Sequence, residues 1–205
     1  MRVFYLVFIL IGNIFIFIPN ISLAENDIKL KIVVIVNDHA ITNIDINNQI
    51  NFIKSMYNNE NFENKQIYSS ALNNLIYEVL KNDEIKKNNL ITDENKIKEK
   101  YNIILQDLQK NNRSLDEDFK KELFKKVKIE AEWNELVLKK NYWKININIK
   151  EIEEKLKENK KNINNEKLFL EKDKLMSFEK NKKLQIYSNK YLEDLKENSL
   201  IKYFK

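Results

Sequence analysis

Lys31-Ile32-Val33-Val34-Ile35-Val36-Asn37-Asp38-His39-Ala40-Ile41-Thr42 is the stretch that decides how this chain folds. Its first half is the one β-branched run in the sequence, and such side chains suit a pleated, buried strand. Asn37-Asp38-His39 predicts a turn, because Asn and Asp accept left-handed backbone and hydrogen-bond their own chain. Ala40-Ile41-Thr42 then returns as a short second strand. Far away, Leu200-Ile201-Lys202-Tyr203-Phe204 also has the look of a strand. A terminal strand must find an edge, since its backbone N–H and C=O groups cannot be buried alone. The run at 31–36 is the good partner, so the two ends of the mature chain are expected to meet in a small sheet.

Between those ends the pattern is helical. Ile46, Ile50, Ile53 and Tyr57 recur at steps of four, three and four, one stripe of a 3.6-residue repeat, and Asn58-Asn59-Glu60-Asn61 closes the helix. Tyr68, Ala71, Leu72, Leu75, Ile76, Val79 and Leu80 give a second helix a wide apolar face, and this reads as the most buried element. Thr92, followed by Asp93 and Glu94, reads as the N-cap of a third helix carrying Ile97, Tyr101, Ile104, Leu105 and Leu108. Ser114-Leu115-Asp116-Glu117 reads as a capping box opening a fourth, through Phe119, Leu123, Val127, Ala131, Trp133 and Leu136 to about Tyr142. Ile145, Ile147 and Ile149 alternate with polar residues, which predicts an extended connector. Asn148 with Glu151 is expected to cap a fifth helix, and a long final helix runs through Leu168, Leu175, Phe178, Leu184, Tyr187, Tyr191 and Leu195.

Glycine and proline each occur once, at Gly12 and Pro19, and cysteine is absent. Gly supplies positive φ and Pro fixes loops, so their absence beyond residue 19 argues against a turn-rich sheet protein. The expected fold class is mainly α: a multi-helix domain with a small β-hairpin near the mature N-terminus, paired with a C-terminal strand. Residues 1–24 carry Met1-Arg2, an apolar run from Val3 to Ile18, and Ser22-Leu23-Ala24. That is the pattern of a secretory signal peptide cut after Ala24, which places the product outside the cytoplasm. An uncleaved leader serving as a membrane anchor is the alternative. If the leader is removed, no stable membrane span is expected, for no second apolar stretch approaches ~20 residues.

The formal net charge is +5, but Lys and Glu alternate along the helices and only Arg2 and Arg113 are arginines. The guanidinium fork that reads guanine is nearly missing, so no nucleic-acid partner is expected. No cysteine means no disulfide, no thiolate nucleophile and no cysteine metal site. The lone His39 lacks a Ser, Cys or second His partner and reads as a solvated turn residue. Glu153-Glu154 and Asp116-Glu117-Asp118 are neighbours that point apart on a helix, and the second set simply suits a helix N-terminus. Accordingly no catalytic residue, cofactor or metal is expected, and the chain is not read as an enzyme. Aromatic and Met side chains are more informative. Trp133, Tyr101 and Phe119 at helical spacing read as core. Met56, Phe62, Trp143 and Met176 fall near helix ends or loops and are the candidate contact surface for other polypeptides, Met being adaptable in shape.

The residues from Val34 to Ile46, V-I-V-N-D-H-A-I-T-N-I-D-I, resemble the "VVNDxxIT…DI" opening of SurA-type periplasmic chaperones. Leu75-Ile76-Tyr77-Glu78 with Asn89-Leu90-Ile91-Thr92-Asp93-Glu94 is similar to that family's "LI…ISDE" segment. Trp133 to Val137, with the connector and Glu151-Ile152, looks like its helix-to-connector junction. Lys190 to Lys196 and Ile201 look like its last helix and strand. The family usually carries parvulin-type prolyl isomerase domains between connector and final helix, with glycine-dependent turns and a pair of histidines. Here that stretch is short and has neither, so the isomerase looks deleted.

The resemblance implies a helical chaperone domain over 25–150, with 151–205 packing back on it. It implies a periplasmic, ATP-independent chaperone that holds unfolded outer-membrane proteins or other secreted polypeptides in an apolar groove. The alternatives are a degenerate peptidyl-prolyl isomerase and a membrane-anchored scaffold.

Overall fold

The computed structural model describes residues 29–57, 63–90, 92–110, 115–159 and 165–204. In chain order these form β1 (Ile32–Val36), β2 (His39–Thr42), α1 (Asn43–Tyr57), α2 (Asn64–Lys87), α3 (Glu94–Lys110), α4 (Glu117–Lys140), α5 (Tyr142–Ile145), α6 (Ile149–Asn159), α7 (Asn165–Glu197) and β3 (Ile201–Tyr203). The fold is mainly helical with one small sheet, as expected. Phe62, the capping-box Ser114 and residues 1–24 lie outside the described residues.

The three strands lie in the order β2-β1-β3, both pairings antiparallel. Ile35 faces Ala40 on one side and Lys202 on the other. Phe204 N–H donates to the Val33 carbonyl at 2.9 Å. Val34, Val36 and Ile41 are buried, so one face of the sheet is core and the pleat alternates as its period of two requires. Asn37 turns the hairpin with φ 52°, the left-handed region that asparagine tolerates. Asn89, at φ 47°, does the same beyond the end of α2. Among the described residues, which include no glycine, asparagine takes that role.

The main core gathers Val34, Val36 and Ile41 of the sheet with Ile46 and Ile53 of α1, Ala71, Ile76 and Leu80 of α2, Trp133, Leu136 and Val137 of α4, Ile145 and Leu192. A second, smaller core lies between α3 and α4, from Ile97 and Leu108 to Phe119, Leu123 and Val127, with Phe52 and Met56 of α1 against it. α4 serves both. It buries eight residues against six in α2, so the expectation that α2 would be the most buried element is corrected. A helix shared by two cores needs apolar residues on two faces, and a single-stripe reading does not register that.

One cap also differs. The Asp93 carboxylate accepts from Asn95 N–H at 2.9 Å, while the Thr92 hydroxyl is buried without a hydrogen-bond partner among the described residues. At the start of α4 Asp116 is the cap, accepting from Phe119 N–H at 2.7 Å; the box partner Ser114 lies outside the described residues. Aspartate adds charge to the same geometry and wins where the dipole favours it. The connector expected from Ile145 to Ile149 shrinks to residues 146–148, because Ile145 closes α5 and Ile149 opens α6. Asn148 caps α6 as expected, its Oδ1 accepting from Lys150 N–H at 3.0 Å.

Candidate functional site

α4 ends at Lys140, and the chain turns through Asn141, whose backbone N–H and side-chain amide both donate to the Val137 carbonyl at 2.9 and 3.1 Å. One helical turn, α5, follows. It is too short to bury more than one side, so Ile145 goes inward and Tyr142 and Trp143 stay outside. Trp143 is 86% exposed and Tyr142 61%, and their rings meet edge to face with centroids 5.4 Å apart. Large aromatic rings left in water are costly unless something else covers them.

Beside this corner runs an open groove of about 560 Å³, lined by Leu138, Tyr142, Ile145, Ile147, Ile149 and Met176 among others. Its rim is polar, with Asn146, Asp173, Ser177 and Lys180. Of the four candidate residues, Met176 therefore lines the groove and Trp143 stands next in sequence to its Tyr142 wall. Met56 is elsewhere. It is half-buried in a smaller groove of about 290 Å³ between α1, α2 and α4, with Phe52, Ile53 and Ile129. The rim of that second groove is charged: Glu78 accepts from Lys125 at 2.6 Å and from Lys126 at 2.7 Å. Burial pushes the Glu78 carboxyl up, but the two lysines pull harder and hold it below the ordinary value.

The corner is held by what lies under it. Trp133 is fully buried, donates from Nε1 to Ser188 Oγ at 2.7 Å and stacks on Tyr191 at 5.3 Å. Tyr191 in turn donates to Glu84 Oε1 at 2.5 Å, and Lys140 donates to the same oxygen at 2.8 Å. Asn88 Nδ2 adds a third donor at 2.8 Å. Burial pushes the Glu84 carboxyl up, yet the donors Lys140, Tyr191 and Asn88 outweigh it, so the group is held below its usual range. A buried carboxylate with three donors pins α2, α4 and α7 to one another. Trp133 and Phe119 are core, as expected. Tyr101 is half-buried, edge-on to Phe124 at 5.3 Å.

His39 is solvent-exposed, as expected, and it also has a partner: its Nε2 lies 2.9 Å from Asp83 Oδ1, which tethers the hairpin to α2. Among the described residues no cluster of His, Cys, Asp and Glu is placed to hold a metal ion. No described helix is long and apolar enough to cross a membrane. Tyr142 was missed in the sequence because it falls at the expected end of α4, where a tyrosine reads as ordinary helix termination. No protein-family model, curated protein or solved structure matches this chain.

Proposed function

We propose that this protein is a holding chaperone of exported polypeptides, working without ATP in the periplasm, a minimal relative of the SurA-type chaperones without their isomerase domains. What supports the reading is one juxtaposition: an open groove with an apolar floor of Ile145, Ile149 and Met176 beside an aromatic pair left in water. Unfolded chains destined for outer-membrane barrels expose alternating apolar side chains, spaced to drop into such a floor one residue in two. Tyr and Trp give large contact area at little entropic cost, and Met adjusts to varied partners. Affinity is expected on the order of micromolar, because ordering a disordered client offsets much of the burial. The order of the sequence blocks that resemble the family, beginning at Val34, supports the same reading. The test is suppression of aggregation of an unfolded barrel protein at stoichiometric ratio, followed by light scattering. Slower aggregation with the wild-type chain, lost on Trp143→Ala with Tyr142→Ala, is the expected result. Equal scattering with and without the protein would contradict it.

A further inference from the structure

We propose that the outward face of α7 is a docking surface for an anionic lipid bilayer. α7 is a 33-residue helix, about 50 Å long. Its inner side packs through Leu184, Tyr187, Tyr191, Leu192 and Leu195 onto the main core. On the other side Lys174, Phe178, Lys182 and Ile186 follow one another at four-residue steps, and all four are exposed. Each such step turns the helix about 40°, so the four span roughly 120° of its circumference. Phe178 is 63% exposed and Ile186 56%.

Between residues 174 and 190 the charge on this arc has one sign; Glu171, one turn before Lys174 on the same side, is half-buried and has an interaction of its own. From Lys174 to Lys190 the helix carries five lysines and a single acid, Glu179; Glu179 is half-buried and has an interaction of its own. Lys183 is used inside the fold, donating to the Asn146 carbonyl at 3.0 Å, and Lys180 borders the groove. Lys174 and Lys182 have no ion pair or hydrogen bond among the described residues. Gln185 and Asn189, exposed on the same arc, are neutral. This differs from α4, where Lys120, Lys121, Lys125, Lys126 and Lys128 each stand three or four residues from an acid and pair with it. An apolar ring or branch flanked on both sides by unpaired lysines fits the boundary between lipid headgroups and acyl chains: the lysines meet phosphate while Phe178 and Ile186 enter the apolar layer. An acidic polypeptide would satisfy the lysines but leaves no reason for the alternation with Phe and Ile. The lipid surface satisfies both.

The absence of cysteine makes a single reporter clean. The full chain would carry an environment-sensitive dye on Gln185→Cys, at the middle of the face, or on Asn102→Cys of α3 as the reference position. Each is mixed with vesicles of equal parts phosphatidylglycerol and phosphatidylcholine, with phosphatidylcholine vesicles, or with polyglutamate. The expected result is a blue shift at 185, well above that at 102, with the anionic vesicles only, weakened by salt. Lys174→Gln and Lys182→Gln should each weaken the partitioning about fivefold, and Phe178→Asn should abolish the shift without changing the circular dichroism. A shift of equal size at 102, an equal response to neutral vesicles, a response to polyglutamate alone, or none at all would overturn the proposal. Because the reading of the groove as a client site concerns α5 and Met176, the aggregation assay is unaffected by either outcome.

Discussion

Asn37 and Leu200 exchange hydrogen bonds in both directions across the seam between β1 and β3. Asn37 N–H donates to the Leu200 carbonyl at 2.8 Å, and Leu200 N–H donates to Asn37 Oδ1 at 3.2 Å. The same side chain reaches Asp83 Oδ2 at 3.3 Å, so one asparagine ties the hairpin, β3 and α2. Its left-handed φ separates two substitutions. Asn37→Gly loses the side-chain bonds but keeps the backbone geometry, whereas Asn37→Ala also pays about 1–2 kcal/mol for that backbone. Urea unfolding should rank wild type above Gly above Ala; an Ala variant as stable as the Gly variant would show that the turn does not need its φ.

Trp133 is the largest fully buried side chain. Trp133→Ala removes its packing, the stack on Tyr191 and the bond to Ser188, and should cost about 3–5 kcal/mol. Ser188→Ala leaves the indole N–H without its partner and should cost about 1–3 kcal/mol. Chemical denaturation of both variants measures this, with the Trp variant expected to lose the larger amount.

Glu84 and Glu132 predict opposite pH effects. Glu84 is shifted down, so its contribution to stability is present above the ordinary carboxylate pKa and is lost as pH falls through the lower folded value. Glu132 is shifted up: burial raises it, Lys128 opposes and Glu135 adds. Its folded form is therefore penalised once the pH rises through its pKa. Glu84→Gln should be less stable than wild type at neutral pH and converge with it in acid. Glu132→Gln should be more stable at neutral pH and also converge in acid. Thermal melts between acid and neutral pH read both signs.

Much of this fold was legible in the sequence. The β-branched run at 32–36 and the strand-like tail at 201–203 had no other partner of their kind, and backbone hydrogen bonding forced them together. Apolar periodicity placed the helices, because Ile46, Ile53, Leu123 and Leu195 face the core at the steps a helix requires, whereas Phe178, read on the stripe of the last helix, is exposed. The caps were harder. Thr92 and Asp93 offer the same chemistry at adjacent positions, and only the backbone path selects one. Ile145 and Ile149 fit a strand pattern because period two and the ends of two short helices coincide over so few residues. The candidate groove is half legible: of the candidate contacts, Met176 lines it and Trp143 adjoins its Tyr142 wall, while Met56 belongs to a different groove. Tyr142 was hidden, since only the turn at Asn141 swings it outward.

The most direct test of the central claim is site-specific photocrosslinking to an unfolded outer-membrane barrel protein. A photoreactive phenylalanine analogue would replace Trp143, Met176 or Ile103, the last an exposed apolar residue of α3, 60% accessible, far in sequence from the groove. The account predicts strong client adducts from 143 and 176 and few from 103. Equal yields at all three positions, or adducts from 103 alone, would contradict it.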